Sequence, residues 1–179
     1  ADPPASPAPI QPTTPACRPT AQEAELAKLL TRSAEQKRKN MRCNGQLEQL
    51  ARAHAEKLAA HDTMSTRDTD NRNANALLLD AGYPLPASYR RYGNNIMTLG
   101  SGYASPQAMW EHWSARTDAQ PHLLGDGDDY IAQDEYGIAY VRQTIGHYGD
   151  ILVVVISRRA RDNETDLYCM LYECGPKQS

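Results

Sequence analysis

The sequence lacks several features that mark large classes of proteins. Its formal net charge is -3, so it has no basic field of the kind that binds nucleic-acid phosphates. Its longest apolar run, Ile151 to Ile156, is far shorter than the roughly 18 residues needed to cross a bilayer. No two cysteines have the Cys-x-x-Cys spacing of zinc knuckles or thioredoxin-like sites. We therefore expect no nucleic-acid partner and no transmembrane segment.

Phenylalanine is absent altogether, whereas the chain has ten tyrosines. A tyrosine offers an apolar body and a polar tip, which suits pockets for amphipathic or carbohydrate ligands. Packing in the core and at its rim is the simpler interpretation of the same rings.

The first 20 residues, ADPPASPAPIQPTTPACRPT, hold seven of the twelve prolines and almost no large apolar side chains. Such a segment cannot bury enough apolar surface to offset the entropy lost on ordering, so we expect an extended or disordered leader over 1–20. An opening Ala-Asp is typical of a mature chain whose signal peptide has been removed, and also of residues left over from expression. The rest suits one domain, which we place at 21–175.

Four cysteines, Cys17, Cys43, Cys169 and Cys174, permit three pairings. If LYCMLYEC forms one strand, Cys169 and Cys174 point to opposite faces about 16 Å apart, too far for a disulfide. We therefore expect them to reach back to Cys17 and Cys43, in an oxidising compartment. Four buried thiols are the alternative.

Two helices are predicted in the first third of the chain. Thr20 and Glu23 form a capping box, and a helix should follow through AELAKLLTRSAEQKRKNM with Lys37, Arg38 and Lys39 in solvent. A second helix, around LEQLARAHAEKLAA, has the most regular apolar spacing in the sequence. That spacing also predicts that its histidine, His54, packs in the core.

Two more helices and four strands are predicted further on. NANALLLDAG ends at Gly82, and SPQAMWEHWSAR begins with Ser105 as N-cap and Pro106 in the first turn. The strand candidates are NIMTL, GIAYVR, ILVVVIS and DLYCMLYE, with HYGD as a hairpin turn. ILVVVIS is apolar throughout, as a central strand covered on both faces should be. The sequence therefore predicts an α+β fold in which helices flank an antiparallel sheet.

These segments form an ordered series: the helix QLEQLARAHAEKLAAHDTMST, a polar loop, a helix ending in AGY, the turn YGNNI, a helix with WEHWS, then PHLL and YGIAYV. The series resembles the CAP superfamily (cysteine-rich secretory protein, antigen 5 and pathogenesis-related 1) in its bacterial form, over about residues 23–157. The resemblance implies a three-layer α-β-α sandwich with a mainly antiparallel central sheet, secreted or periplasmic. It also implies a cleft where two histidines and two acidic residues hold a divalent metal. Lipid or sterol binding, cell-wall association and hydrolysis are attributed to members.

The resemblance assigns this cleft to residues of the present chain. The family's first histidine falls on Thr66, and the glutamate of its Gly-Glu-Asn turn falls on Asn94, beside Asn95. The second histidine falls on His122, at a longer spacing after Trp113 than the family has. Since a hydroxyl and an amide bind zinc poorly, the resemblance implies a binding cleft that has lost its metal site.

The family's remaining acidic position lies in the loop after Thr66, where Asp68 and Asp70 are both candidates. His61, five residues before Thr66, is a candidate to replace the missing ligand. His61 and His122 are thus the metal candidates. We expect no cofactor, with zinc as the alternative.

Two polar residues outside this set also carry expectations. Ser101 lies in LGSGY, which lacks the Gly-x-Ser-x-Gly elbow, so we expect a turn residue and not a nucleophile. His112 precedes Trp113, and we expect it to be exposed or to adjoin the cleft wall.

The leading hypothesis is a monomeric CAP-domain protein, secreted or periplasmic, that binds a lipid, a cell-envelope glycan or a protein without efficient catalysis. One alternative is an envelope hydrolase that uses His122 with Asp68 or Asp70, or a metal site rebuilt with His61. Another is an interaction module that the proline-rich leader spaces from its partner.

Overall fold

The computed structural model describes residues 13–164, which contain six helices and four strands. The helices are α1 (Ala21–Arg32), α2 (Gly45–His61), α3 (Ala74–Asp80), α4 (Pro106–Ser114), α5 (Gln120–Leu124) and α6 (Asp128–Ile131). The strands are β1 (Arg42–Cys43), β2 (Met97–Ser101), β3 (Glu135–Val141) and β4 (Ile151–Ser157). None of these helices combines the length and apolar character that a membrane span requires.

The four strands form one mixed sheet in the order β1-β3-β4-β2. β4 pairs antiparallel with β3 on one side and with β2 on the other, while the short β1 pairs parallel with the start of β3. Every residue of β4 is buried, as expected of a central strand covered on both faces. The predicted α+β class and the mainly antiparallel sheet are confirmed.

The sheet lies between two helical layers because side chains alternate between its faces along each strand. On one face, Ile151, Val153 and Val155 of β4 pack with α2, α3 and the buried rings that follow α3. On the other face, Leu152, Val154 and Ile156 pack with α1, α4 and α5. The order is helix, sheet, helix.

Side-chain caps fix where the longer helices begin. Thr20 Oγ1 accepts from the Glu23 N–H at 3.3 Å, and the Glu23 carboxylate accepts from the Thr20 N–H at 2.8 Å, which is the predicted capping box. Asn44 accepts from two N–H groups in the first turn of α2. Asn73 and Ser105 cap α3 and α4 in the same way, and the Ser105 cap was predicted.

α1 is shorter than predicted, and one of the cations placed in solvent is buried. The helix ends at Arg32 because Ser33 has non-helical backbone angles, with ψ at 135°. The amide of Gln36 then donates to Leu30 O at 3.0 Å and to Leu123 O at 2.9 Å, so this segment turns toward α5. Arg38 follows it inward and is only 5 % exposed.

The predicted disulfide pairing was wrong, because Cys17 is bonded to Cys43. The leader passes over the start of α2, where the Arg18 N–H donates to the Glu48 carboxylate at 2.8 Å and Pro15 contacts the Gly45 backbone. This path brings the Cys17 and Cys43 Cα atoms within 6.2 Å. Sequence spacing alone carried no information on where the leader runs.

Other expectations have mixed outcomes. The candidate strand DLYCMLYE, with Cys169 and Cys174, lies outside the described residues. β3 and β4 are joined as a hairpin, but residues 142–150 connect them, a longer segment than HYGD. The short helices α5 and α6 had no signal that we recognised in the sequence.

The tyrosines support the packing interpretation in part. Tyr83 and Tyr89 are 1 % and 2 % exposed. The Tyr83 hydroxyl donates to Glu135 at 2.7 Å, and the Tyr89 hydroxyl donates to Asp129 O at 2.9 Å, so each ring is buried while its polar tip is paired. Tyr92, by contrast, is 79 % exposed.

Candidate functional site

The turn Gly93-Asn94-Asn95 is held by its own side chains. Asn94 Oδ1 accepts from the Met97 N–H at 2.9 Å and the Ile96 N–H at 3.2 Å, and Asn94 Nδ2 donates to Met97 O at 3.0 Å. An ionised carboxylate could accept the first two bonds but has no donor for the Met97 carbonyl. Asn94 therefore anchors the start of β2, and its polar atoms are already paired.

Asn95 belongs to a buried set of amides behind this turn. Its Oδ1 accepts from Asn75 Nδ2 at 2.8 Å, and its N–H donates to Asn75 Oδ1 at 3.0 Å. Asn95 O accepts from Gln133 Nε2 at 2.8 Å. Asn75 and Gln133 are both fully buried, so these bonds satisfy polar groups that water does not reach.

Arg38 extends this network to the end of α5. Its guanidinium donates to Gln133 Oε1 at 2.9 Å, to His122 O at 2.6 Å and to Leu123 O at 3.1 Å. Its Nε donates to Tyr130 O at 2.8 Å. A cation beside the last carbonyls of a helix is favoured by the helix dipole, although burial lowers the pKa of Arg38 to about 10.

His122 lies in α5 with a side chain that is nearly fully buried, at 7 % exposure. Its Nδ1 lies 2.6 Å from Thr98 Oγ1, its Nε2 lies 3.5 Å from Ile156 O, and its ring meets Tyr130 edge-on. A neutral ring that accepts from Thr98 and donates to the carbonyl satisfies both nitrogens. Burial, with a smaller contribution from the Arg38 cation, lowers the pKa of His122 to about 3.

The loop after Thr66 uses its polar groups internally. Thr66 Oγ1 donates to Asn73 Oδ1 at 2.8 Å. The Asp68 carboxylate accepts from the N–H groups of Asp70 and Arg72 and from the Arg72 guanidinium, and its side chain is 1 % exposed. Burial alone would raise the pKa of Asp68, but the Arg72 hydrogen bonds outweigh it and hold the pKa below its ordinary value. Asp70 is exposed.

His61 and Asp68 line a shared cavity of about 460 Å³ beside the last turns of α2, which Lys57 and Arg67 also line. His54 forms part of its wall, but it is 3 % exposed and its Nε2 lies 2.7 Å from Ser65 O. Burial lowers the pKa of His54, so the ring is the packed core histidine that the helical spacing predicted.

The candidate cleft residues are not joined into one site. Within 13–164, no hydrogen bond or ion pair connects His122 with Thr66, Asn94, Asp68 or Asp70, and His61 lies on a cavity that His122 does not line. In the same part of the chain, the one grouping with the geometry for a metal ion is Cys17, Cys43 and Glu48. There the disulfide occupies both sulfurs.

A second cavity, of about 390 Å³, runs along the outer edge of β2, and we call it the β2 groove. Its floor is the strand from Met97 to Ser101, and Met64 lines it from the face of the sheet that packs on α2. His112, Trp113 and the segment after α4 line the opposite side. Sequence reasoning did not find this groove, because nothing in the sequence indicates that β2 is an edge strand.

Two residues of the β2 groove were assessed from sequence. His112 lines it, in agreement with a place beside a cleft, and its Nδ1 lies 2.7 Å from the Tyr103 hydroxyl. Ser101 also lines it, but as the last residue of β2 and not as part of a turn. No hydrogen bond joins Ser101 to His112 in the described chain, so they do not form a nucleophile and base pair.

No family model matches the chain, and no curated protein matches it. Among solved structures, one likeness stands out. The fold is similar to that of an outer surface protein from Borrelia burgdorferi. The TM-score is 0.54 at 17% sequence identity, and the match covers 76% of this chain and 89% of that chain. At this identity the likeness concerns the fold alone.

Proposed function

We propose that this chain is a CAP-type domain of a secreted or envelope-located protein, and that it binds a partner without hydrolysis at the family's metal positions. The single observation that carries the proposal is His122, a buried neutral ring with both nitrogens paired. A zinc ligand or a general base needs an accessible nitrogen lone pair.

The neighbouring positions support the same conclusion. Asn94, where the family has glutamate, is engaged with the backbone of β2, and Thr66 is engaged with Asn73. Asp68 is neutralised by Arg72. Each side chain that would supply a ligand or a proton acceptor instead stabilises a turn or a loop.

The proposed location has two supports. The Cys17–Cys43 disulfide is typical of oxidising compartments outside the cytosol. The solved structure with a similar fold is named an outer surface protein. The CAP assignment itself depends on the ordered motifs from the second helix to YGIAYV together with the three-layer fold.

The partner class follows from the β2 groove. Its lining includes polar side chains, among them Thr98, Ser101 and His112, along an open strand edge. An acyl chain is bound best by an apolar tunnel, so this lining favours a peptide or a glycan over a lipid.

The hydrolase alternative retains one supporting observation, the cavity that His61 and Asp68 share. A site rebuilt there would use His61 as ligand or base. The Asp68–Arg72 ion pair opposes it, because Asp68 would have to give up that partner.

Calorimetric titration of the metal-free full chain with zinc near pH 7.5 tests the proposal. We expect no stoichiometric binding at micromolar affinity or tighter, and no change in His122→Gln or in His61→Ala. Hydrolysis of casein and of a short-chain nitrophenyl ester, assayed in parallel, should stay at the background rate in all three proteins.

Tight zinc binding that is lost in either variant, or hydrolysis that depends on either histidine, would contradict the proposal. His61 is exposed, so His61→Ala is the variant that should fold without loss of stability. A circular dichroism melt establishes that His122→Gln is folded at the temperature of the assay.

A further inference from the structure

The outer edge of β2 is unpaired in residues 13–164, because β2 ends the strand order of the sheet. The direction of its backbone groups follows from two bonds that flank the strand. Ile96 O accepts from the Ile156 N–H at 2.8 Å, and the Gly102 N–H donates to Asp150 O at 3.0 Å. Since hydrogen-bonded residues alternate along an antiparallel pair, the intervening even-numbered residues face β4 and the odd-numbered ones face outward.

Side chains of the protein satisfy part of this outward edge. Asn94 pairs with both the N–H and the carbonyl of Met97. The Trp113 indole N–H donates to Leu99 O at 3.2 Å. Three groups remain without a partner in the described chain: the N–H of Leu99, and the N–H and carbonyl of Ser101. They line the floor of the β2 groove.

We propose that the β2 groove binds an extended peptide segment of a partner protein, which adds to the sheet as a strand. This inference rests on the proposed binding function and specifies its ligand class. Main-chain donors and an acceptor on residues two apart match the hydrogen-bonding pattern of an added strand. A lipid or a glycan has no such repeat.

The two sides of the groove specify the side chains of that peptide. Met64 and Leu99 are apolar and belong to the α2 face of the sheet. Arg116 and Asp118 line the opposite side and form an ion pair at 2.6 Å that leaves both side chains more than half exposed. Because successive side chains of a strand point to opposite faces, the peptide should alternate apolar and polar residues.

A second copy of the chain fits the groove poorly. In each copy β2 forms the floor of the groove, with Met64 on one side and the segment after α4 on the other. Two such edges cannot approach to the spacing of about 4.8 Å between neighbouring strands, whereas a single extended segment can.

Amide hydrogen exchange of the full-length, isotope-labelled chain is the first measurement. We expect the Leu99 and Ser101 amides to exchange quickly. Thr98 and Gly100 are the internal controls, since their amides face β4 and should exchange slowly. Slow exchange at Leu99 and Ser101 in the free, dilute protein would show that the edge is already occupied, by this chain or by a second copy, and would overturn the proposal.

Peptide binding is the second measurement. The probe is a pool of acetylated pentapeptides that alternate Val or Ile with Ser, Thr or Asn, and its control is the same pool with every backbone nitrogen methylated. We expect the first pool, and not the methylated one, to shift the Leu99 and Ser101 amide resonances and to slow their exchange. Equal binding of both pools, or shifts confined to other surfaces, would overturn the proposal.

Ser101→Pro removes one outward N–H and no bond to β4, a substitution that edge strands tolerate. Loss of one net hydrogen bond should weaken pool binding about fivefold, whereas Ser101→Ala should bind as the native chain does. Unchanged affinity in a folded Ser101→Pro would contradict strand addition. The zinc titration remains independent, so a failure here leaves the wider binding proposal standing.

Discussion

Burial decides what His122 does. The sequence located this histidine through the CAP resemblance, but a loop residue and a cleft residue look alike in sequence. In the fold, α5 turns the ring inward, where Thr98 and Ile156 O pair with its nitrogens and Arg38 lies near its backbone. The signal that could have been read is the neighbouring pair Leu123 and Leu124, which are both buried.

The lowered pKa of His122 gives a prediction on pH dependence. The ordinary value is 6.5 and the folded value is about 3, so between these pH values the unfolded chain binds the proton and the folded chain does not. Stability should therefore fall as pH falls from about 6.5 toward 3, by up to about 1.4 kcal/mol per pH unit from this group alone. Above pH 6.5 the group contributes no pH dependence.

His122→Gln removes the titration and keeps one acceptor and one donor. Urea unfolding of both proteins from pH 6 to 4.5 should show a flatter curve of stability against pH for the variant. His54 and the carboxylates titrate in both proteins and cancel in the difference. Parallel curves would mean that the folded protein protonates His122 as readily as the unfolded chain.

Periodicity predicted the elements that depend on apolar patterning. α2 has regular apolar spacing and packs against β3 and β4, while ILVVVIS is the central strand with its predicted bounds. The elements that sequence reasoning missed, β1, α5 and α6, have two, five and four residues. Segments this short have no full period of their own, and tertiary contacts such as those of Arg38 determine their conformation.

Close packing of α2 on β3 depends on Gly137. A Cβ at this position would lie 2.1 Å from Glu48 N and 2.2 Å from Leu47 C, both backbone atoms of α2. Backbone cannot move aside as a flexible side chain can, so Gly137→Ala should lower the free energy of unfolding by about 3 kcal/mol. Urea denaturation measures this change.

Gly93→Ala is the matched control, because its added Cβ meets nothing closer than 3.3 Å. We expect its cost to be well below that of Gly137→Ala. Similar unfolding free energies for Gly137→Ala and the native chain would contradict the close approach of α2 to the sheet.

At the scale of the molecule, the sequence predicted the layered α+β fold but not how the leader is attached to it. Composition described residues 1–20 as one proline-rich segment. The structure has the end of that segment bonded to β1 through Cys17 and held against α2 through Arg18. The disulfide thus attaches the leader at the sheet edge opposite β2.

This crosslink should stabilise the whole domain. Cys17 and Cys43 are 26 residues apart, and closing a loop of that size in the unfolded chain contributes about 3.5 kcal/mol in the chain-entropy model. The paired substitution Cys17→Ser with Cys43→Ser should lower the free energy of unfolding by about that amount while the far-ultraviolet circular dichroism is kept. Peptide mapping of the native chain without reduction should recover Cys17 joined to Cys43. A map that joins either of them to Cys169 or Cys174 would restore the pairing expected from spacing and would move the leader away from the start of α2.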